Sequence, residues 1–280
     1  MTTKTLKRPA AVAAAPAVTG PLSDLIAALK FVRAGMSNEE TRYYLKSVCF
    51  HFNAAGLHVV STDGHRMHHF MLGNAKTEGA DYQFVLNRDD VLAILKAYNA
   101  KGKQRDKTYS LDFGGQLFAG HLSFKPLDAK YPDWQRVMPR DATPALHWYA
   151  EDGRAVLAQL AAYDRGYAVR MTGTAEGASG TLKLERRHHV SLRAGSVPVT
   201  HSTTVETGVA VARNCEVGYQ AGYVEDIMCT FAEHGRAGWK NTRYPGTLVT
   251  LSLPEDDSYG PGMWRSTADG PFIVIMPMRI

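Results

Sequence analysis

Residues 41–67 read TRYYLKSVCFHFNAAGLHVVSTDGHRM and carry the strongest local signal in the chain. Within them, two runs rich in β-branched and aromatic residues, 48–52 and 57–62, flank the turn-forming residues 53–56. Strand-forming runs on either side of a glycine-containing turn are typical of a β-hairpin. This stretch therefore predicts an antiparallel pair of strands.

Similar patterns continue on both sides of this hairpin. Four segments place apolar residues three and four positions apart, which predicts half-buried helices at residues 21–33, 87–100, 151–165 and 220–234. Short alternating or β-branched runs between them predict further strands at 82–86, 109–113, 117–124, 168–172, 181–185, 248–253 and 272–276.

The helix starts recur about every 65 residues, which indicates a repeated unit. Each unit would be one helix followed by several antiparallel strands, used four times. Two unrelated α+β domains with evenly spaced helices would give the same spacing, so that alternative stays open at this point. Two units per domain predict domains at 21–140 and 141–280, with a boundary near the polar, proline-bearing stretch 139–143.

The first twenty residues, MTTKTLKRPAAVAAAPAVTG, are rich in alanine and proline with a basic start. This composition predicts a disordered basic arm over residues 1–20. A secretory signal is the alternative, but two prolines interrupt the apolar stretch that such a signal needs.

The amino-acid composition limits which classes of protein this chain can belong to. The chain has 280 residues, of which 45% are hydrophobic, so it can fill a core and wholesale disorder is excluded. Its net charge is +5, a weak indication of a polyanionic partner. No uncharged apolar run approaches the roughly 18–20 residues that cross a bilayer, so no membrane association is expected. Three cysteines without CxxC spacing favour a reducing compartment and a cytoplasmic location.

Motifs of catalysis and cofactor binding are missing from the sequence. It contains no complete phosphate loop, no GxGxxG after a strand and no HExxH. Histidines 51, 58, 65, 68 and 69 are interpreted as strand-surface residues rather than metal ligands, because neighbours on a strand point to opposite faces. Residues 61–66 combine a hydroxyl, a carboxylate and an imidazole, but Asp-Gly most simply marks a turn. The chain is therefore predicted not to be an enzyme and to need no cofactor or metal.

Three separated motifs closely resemble one family, the bacterial DNA polymerase III beta subunit or replicative sliding clamp. The family has an Arg-Tyr-Tyr-Leu run, a Thr-Asp-Gly-His-Arg turn and a Met-Pro-Met-Arg C-terminus, which match residues 41–67 and the final VIMPMRI. Residues 131–139 (YPDWQRVMP) resemble the segment that closes its middle domain, and residues 220–228 resemble the start of its last helix. The resemblance covers about residues 20–280, with Ser47 and Met67 standing where the family usually has glycine and leucine.

The resemblance implies an α+β fold, the DNA clamp or processivity fold. Each of two domains would pair two helix-plus-antiparallel-sheet halves, with helices lining a central hole and sheets forming the rim. The family usually has three domains per chain, and only its middle and last domains are matched here. If each domain keeps about 60° of the ring, the resemblance implies a homotrimer of six domains rather than a dimer.

The resemblance also implies a pocket for short linear peptides from polymerases, the clamp loader and repair proteins. Its apolar floor would take Leu or Phe anchors, and Arg66, Arg136 and Arg279 would hold polar groups at the rim. The residues carried over are Leu45, Thr62, Gly64, His65, Arg66, Met67, Pro132, Arg136, Val137, Val274, Ile275, Met276, Pro277, Met278 and Arg279.

Contact with double-stranded DNA would be topological and non-specific, which needs diffuse positive charge and no base readout. Basic residues lie off the apolar stripes of the predicted helices, and two tyrosines match family residues near the DNA path. The predicted DNA-facing set is Lys30, Arg33, Tyr43, Tyr44, Lys96, Lys101, Lys103, Arg105, Arg154, Arg165, Arg236, Lys240 and Arg243.

Three hypotheses follow. The first is a non-enzymatic processivity clamp that tethers a DNA polymerase and either depends on a clamp loader or opens spontaneously. The second is a clamp-like decoy or adaptor that binds the same peptides without encircling DNA. The third, a metal-dependent nuclease, lacks a carboxylate cluster with the spacing of metal ligands.

Overall fold

The computed structural model describes residues 17–72, 81–98, 106–113, 115–160, 168–176, 179–187, 204–237, 246–255 and 260–278. We call residues 17–141 the first half and residues 142–278 the second half. The first half contains β1 (Ala17–Pro21), α1 (Leu22–Val32), β2 (Ser47–Asn53), β3 (Gly56–Thr62), β4 (Arg66–Met71), β5 (Asp81–Asn87), α2 (Arg88–Tyr98), β6 (Thr108–Asp112), β7 (Leu117–Ala119) and β8 (Leu122–Phe124). It also contains 3-10 helices at Arg33–Gly35, Glu40–Leu45 and Trp134–Val137.

The second half repeats this order of strands and helices. Its elements are β9 (Ala142–Tyr149), α3 (Ala150–Leu160), β10 (Ala168–Glu176), β11 (Ser179–Arg187), β12 (Thr204–Val211), β13 (Cys215–Gln220), α4 (Ala221–Ala237), β14 (Leu248–Pro254), β15 (Gly262–Arg265) and β16 (Phe272–Ile275). The unit strand–helix–three strands therefore occurs four times, as the helix spacing predicts. The first strand of each unit pairs with the other unit of its half: β1 with β6, β5 with β2, β9 with β14, and β13 with β10.

Each helix lies within or close to its predicted range, because the apolar stripe that predicts it is also the face it buries. In α1, Leu22, Leu25 and Leu29 are fully buried. Asn87 caps α2, since its side-chain Oδ1 accepts a hydrogen bond from the Asp90 amide at 2.9 Å. The predicted helix ends at 99–100 and 161–165 lie outside the described residues.

Two sequence predictions about strands were wrong. Residues 17–20, assigned to a disordered arm, form most of β1, which pairs with β6 and packs Val18 against the core. The run 117–124 is two strands rather than one, because Gly120, at φ +60°, turns the chain between β7 and β8. A positive φ of this kind suits glycine, which has no Cβ to clash.

The two halves share one sheet and one helix layer. The 12-stranded sheet has the order β13-β10-β11-β12-β9-β14-β15-β16-β4-β3-β2-β5, so it crosses from the second half to the first where β16 pairs antiparallel with β4. On one face of this sheet, α1 contacts both α2 and α4, and α3 packs along α4. The rings of Phe31 in α1 and Phe231 in α4 meet edge to face at 5.4 Å across the junction. No helix in the described ranges combines the length and apolar character needed to span a membrane.

The stretch between the halves, residues 125–141, is packed against the first half; we call it the connecting segment. The Leu127 amide donates to the Val85 carbonyl of β5 at 2.7 Å, and Tyr131 and Trp134 are buried. These side chains form a second apolar cluster with Cys49, Val60, Met67, Val85, Phe272 and Val274. Because alternate strand residues point to opposite faces, this cluster covers the face of β2–β5 that is turned away from the helices.

Candidate functional site

A shallow groove lies beside the strand pair that joins the two halves. It is lined by Thr62, Gly64, His65, Arg66, Met67, Val137, Val274 and Met276. All eight residues belong to the set that the sequence predicted for a peptide pocket. They come from three distant stretches of the chain: the β3–β4 turn, the connecting segment and the C-terminal strand.

The β3–β4 turn is held by its own side chains. The Thr62 hydroxyl donates to the Arg66 carbonyl at 2.7 Å and accepts from the Gly64 amide at 3.0 Å. The Asp63 carboxylate accepts from the His65 and Arg66 amides at 2.9 and 3.0 Å. Gly64 has φ +93°, a conformation that side chains with a Cβ rarely adopt. The Thr-Asp-Gly run is therefore explained by the turn, as predicted, and its carboxylate is used by backbone amides.

Two apolar side chains are exposed at the edge of this groove. Val137 is 38% exposed and Met276 is 41% exposed, whereas Met67 and Val274 below them are buried. The Met276 amide donates to the His65 carbonyl at 2.8 Å, which fixes the C-terminal strand against the turn. Flexible methionine next to a branched side chain gives a surface that can adapt to an apolar anchor.

Arg66 does not hold a rim position, contrary to the sequence prediction. Its side chain is only 8% exposed, and it forms ion pairs with Asp63 at 3.1 Å and with Asp226 of α4 at 2.7 Å. Its guanidinium also lies 4.4 Å from the ring centre of Tyr223. Arg66 therefore lines the groove while it links the first half to α4 through Asp63 and Asp226.

The remaining predicted pocket residues lie in different places. Leu45 and Ile275 are buried in the interior and do not line the groove, since Ile275 points to the opposite sheet face from Val274. Pro132 and Arg136 are exposed on the connecting segment, where Arg136 pairs with Asp133 at 3.1 Å. Pro277 is half-buried, Met278 is exposed, and Arg279 lies outside the described residues.

Two residues of α4 adjoin the groove but were absent from the predicted set. Tyr223 stacks on His65, with ring centres 6.1 Å apart, and Asp226 holds Arg66. Burial raises the pKa of the Tyr223 hydroxyl. The sequence placed Tyr223 on the apolar stripe of the helix. No residue near Tyr223 in the sequence indicated that this side chain contacts the β3–β4 turn.

The histidines of β2–β4 are buried, so their interpretation as strand-surface residues was wrong. His51, His58, His68 and His69 are each less than 9% exposed. The reason is distant in sequence: the connecting segment lies over one face and α1 over the other. Among the residues that the structure describes, no group of three or more His, Cys, Asp or Glu side chains is arranged to hold a metal ion.

Only some of the predicted DNA-facing residues lie in the part of the chain that the structure describes. Tyr43 is 56% exposed and Tyr44 is half-buried. Exposed basic residues on or at the ends of the helices are Lys30, Arg33, Lys96, Arg154 and Arg236. Outside the described residues lie Lys101, Lys103, Arg105, Arg165, Lys240 and Arg243.

The helices themselves are not rich in positive charge. Within α1–α4, Asp and Glu outnumber Lys and Arg by eight to five. Arg33, just after α1, pairs with Glu233 of α4 at 3.4 Å, which further reduces the free positive charge of this layer. A diffuse positive surface on the helix layer would therefore depend on basic residues that follow the helices.

Comparison with known proteins gives a consistent result. No protein-family model matches the chain. The beta sliding clamp of Haemophilus influenzae is 26% identical over 221 residues, which cover 74% of this chain and 53% of the relative. That of Vibrio cholerae is 30% identical over 134 residues, or 45% of this chain and 34% of the relative. The chain thus spans about half the length of the first of these relatives and a third of the second.

Solved structures share the fold. The DNA polymerase III beta subunit of Pseudomonas aeruginosa superimposes with a TM-score of 0.73 at 20% identity, over 98% of this chain and 69% of the other. The sliding clamp of Caulobacter crescentus gives 0.72 at 20% identity, over 99% and 69%. The fold is therefore the α+β DNA clamp fold. In sequence and in fold, this chain is similar to the bacterial beta sliding clamps.

Proposed function

We propose that the chain is a DNA sliding clamp, a processivity factor that encircles duplex DNA and tethers a replicative polymerase through the groove. The observation that carries this proposal is the groove itself. Three stretches that each resemble a clamp segment converge there, and they surround an apolar depression with exposed Val137 and Met276. Clusters of exposed apolar side chains on a soluble surface mark binding sites.

The chemistry of the groove fits a short linear peptide with an apolar anchor. Met67, Val137 and Met276 offer an adaptable apolar surface, and the Gly64 turn lets a backbone approach closely. A DNA polymerase and a clamp loader that carry such motifs are the proposed partners. A sliding clamp of Pseudomonas aeruginosa has been solved bound to griselimycin, and griselimycin is therefore the probe that we propose for this groove.

Ring closure would repeat the junction that already exists inside the chain. There, β16, the last strand of one unit, pairs with β4, the last strand of another. The equivalent last strands are β8, at the edge of a four-stranded sheet, and β12, which pairs with β11 along most of its length and with β9 only at residues 210–211. Pairing β8 of one copy with β12 of the next would close three copies, with domains at 21–140 and 141–280, into a six-domain homotrimer.

DNA would be held without sequence readout. The exposed basic residues Lys30, Lys96, Arg154 and Arg236, with those that follow the helices, would face the duplex. In this proposal the protein is non-enzymatic, acts in the cytoplasm and depends on a separate loader to open the ring.

A decoy or adaptor that binds clamp-motif peptides without encircling DNA is the second candidate. The acidic excess in α1–α4 favours it, because a helix layer with more carboxylates than basic groups repels DNA. Both candidates share the groove, so only ring closure and DNA retention separate them.

The groove is tested by calorimetric titration with griselimycin. We expect the wild-type chain to bind, and Met276→Asp to weaken binding at least about tenfold, because a carboxylate would be placed against an apolar ligand. Leu92→Asp is the matched control: Leu92 is 43% exposed on α2, against 41% for Met276, and lies outside the groove. Absence of wild-type binding, or equal losses in both variants, would contradict the proposal.

A further inference from the structure

A buried network of histidines lies behind the groove, on the sheet face away from the helices. His51, His58 and His69 occupy the neighbouring strands β2, β3 and β4, and the indole of Trp134 covers them. Its ring centre lies 6.0 Å from that of His51, 5.1 Å from His58 and 5.2 Å from His69. The predicted peptide pocket did not include any of these four residues.

The hydrogen bonds of His51 have a defined direction. The Trp134 indole N–H can only donate, and it donates to His51 Nδ1 at 2.9 Å. His51 must therefore carry its proton on Nε2, which donates to the Asp81 carboxylate at 2.8 Å. His51 is thus the acceptor that fixes the orientation of the indole.

The second chain of hydrogen bonds is directed in the same way. The Asn53 side-chain oxygen accepts from the Ala55 amide at 2.9 Å and from His58 Nε2 at 3.0 Å. His58 Nδ1 is then free to accept from His69 Nε2, 2.8 Å away. In this arrangement each of the three rings donates from Nε2. Burial lowers the pKa of His58 to about 4 and that of His69 to about 3, in agreement with this geometry.

This network is connected to both apolar walls of the groove, of which Val137 forms one and Val274 the other. Trp134 begins the 3-10 helix that ends at Val137, and Val137 lines the groove. His69 stacks on Phe272 with ring centres 4.2 Å apart and planes inclined by 17°, and Phe272 lies two residues before Val274 on β16. One wall is therefore anchored through Trp134 and the other through Phe272.

We propose that His51, His58 and His69, acting through Trp134 and Phe272, are positioning residues that fix the two apolar walls of the groove. The three histidines contact no ligand in this proposal. They supply acceptors and flat faces that hold the indole and the phenyl ring in one arrangement. The inference rests on the proposed function only in taking the groove as a ligand site.

The test compares single buried histidines on the two faces of the sheet. His51→Phe removes the acceptor of the indole N–H, and we expect it to weaken griselimycin binding by about three- to tenfold, the usual effect of one lost hydrogen bond. His51→Gln, which keeps an acceptor, should restore most of the affinity. Trp134→Phe should lower the affinity by a similar factor, and the double variant should lose no more than either single one.

His68→Phe is the matched control, because His68 is the neighbour of His69 on β4, is fully buried, and donates from Nδ1 to the Phe31 carbonyl at 3.1 Å on the helix side. It should leave the affinity unchanged. Equal losses in His51→Phe and His68→Phe, or unchanged affinity in folded His51→Phe and Trp134→Phe, would overturn the inference.

A measurement without ligand separates this inference from the proposed function. We expect amide hydrogen exchange at residues 135–138 to speed up about tenfold in His51→Phe and to stay at the wild-type rate in His68→Phe. If griselimycin fails to bind the wild-type chain but exchange responds in this way, the proposed function fails and the positioning role stands. If exchange is unchanged, the positioning role is refuted whatever binds.

Discussion

At the scale of single residues, the chain contains two Arg–Asp pairs with the same spacing and geometry but different surroundings. Arg66 and Asp63 lie three residues apart with Nε and Oδ2 at 3.1 Å, and their side chains are 8% and 13% exposed. Arg136 and Asp133 have the same spacing and distance, but are 83% and 53% exposed. Water surrounds and screens the Arg136–Asp133 pair, whereas it hardly reaches the Arg66–Asp63 pair. The two pairs should therefore differ in their contribution to stability.

We expect Arg66→Met to lower the free energy of unfolding by about 2 kcal/mol, because it removes charge-assisted hydrogen bonds to Asp63 and Asp226, although Asp63 keeps its two backbone amides and Asp226 is half exposed. Arg136→Met should leave the stability unchanged within error. Urea unfolding of the two variants, followed by circular dichroism, measures the difference. Similar midpoints for both variants would contradict the assignment of Arg66 as a link between the first half and α4.

At the scale of elements, the β7–β8 hairpin depends on one glycine. Gly120 has φ +60°, and a Cβ there would lie 2.3 Å from the Tyr98 hydroxyl. That hydroxyl donates to the Ala119 carbonyl at 3.0 Å and so links α2 to the turn. The hairpin and the helix therefore pack so closely at Gly120 that a larger residue would clash with Tyr98.

Gly120→Ala should lower the free energy of unfolding by about 2 kcal/mol, from backbone strain together with the clash. Gly115→Ala is the control, since its φ is not positive and its nearest neighbour would be the movable end of the Asp112 side chain at 3.0 Å. Thermal unfolding of both variants tests this prediction. A Gly120→Ala protein as stable as the control would show that the turn can relax.

Elements whose signal is local could be predicted from sequence, and those that depend on distant partners could not. The four helices were predicted because each apolar stripe is complete within its own segment. The predicted strands did not include β4, β9, β12, β13 or β15. In β9, Pro144 lies next to a register shift in the pairing with β14, which leaves Ala145 without a paired residue on that strand.

The candidate groove shows the same division. The residue types of the β3–β4 turn predicted that turn, since Thr62 and Asp63 bond to backbone amides within three residues. The burial of His51 could not be predicted, because Trp134, which covers it, lies 83 residues further along the chain. Arg66 was assigned to the rim for the same reason, since its partner Asp226 is 160 residues away.

At the scale of the whole molecule, buried neutral histidines couple stability to pH. Burial lowers the pKa of His58 from 6.5 to about 4, and that of His68 and His69 from 6.5 to about 3. Between these values and pH 6.5, the unfolded chain binds protons that the folded chain does not. The stability that these groups contribute is therefore complete above about pH 6.5 and is lost as the pH falls from there toward 3.

We expect the urea midpoint to be lower at pH 5 than at pH 7.5. The difference should shrink in a His68→Phe variant, which removes one of the three groups. Equilibrium unfolding of both proteins at the two pH values measures it. A wild-type midpoint that is equal or higher at pH 5 would show that the histidines are not held neutral in the folded state.

If copies of this chain close into a ring, the ring has a defined mass in solution. Multi-angle light scattering should be run over a range of concentrations up to tens of micromolar. We expect a mass close to three times 30.7 kDa that persists on dilution. A chain that stays at 30.7 kDa over the whole range, or a mass twice that value, would contradict the six-domain ring.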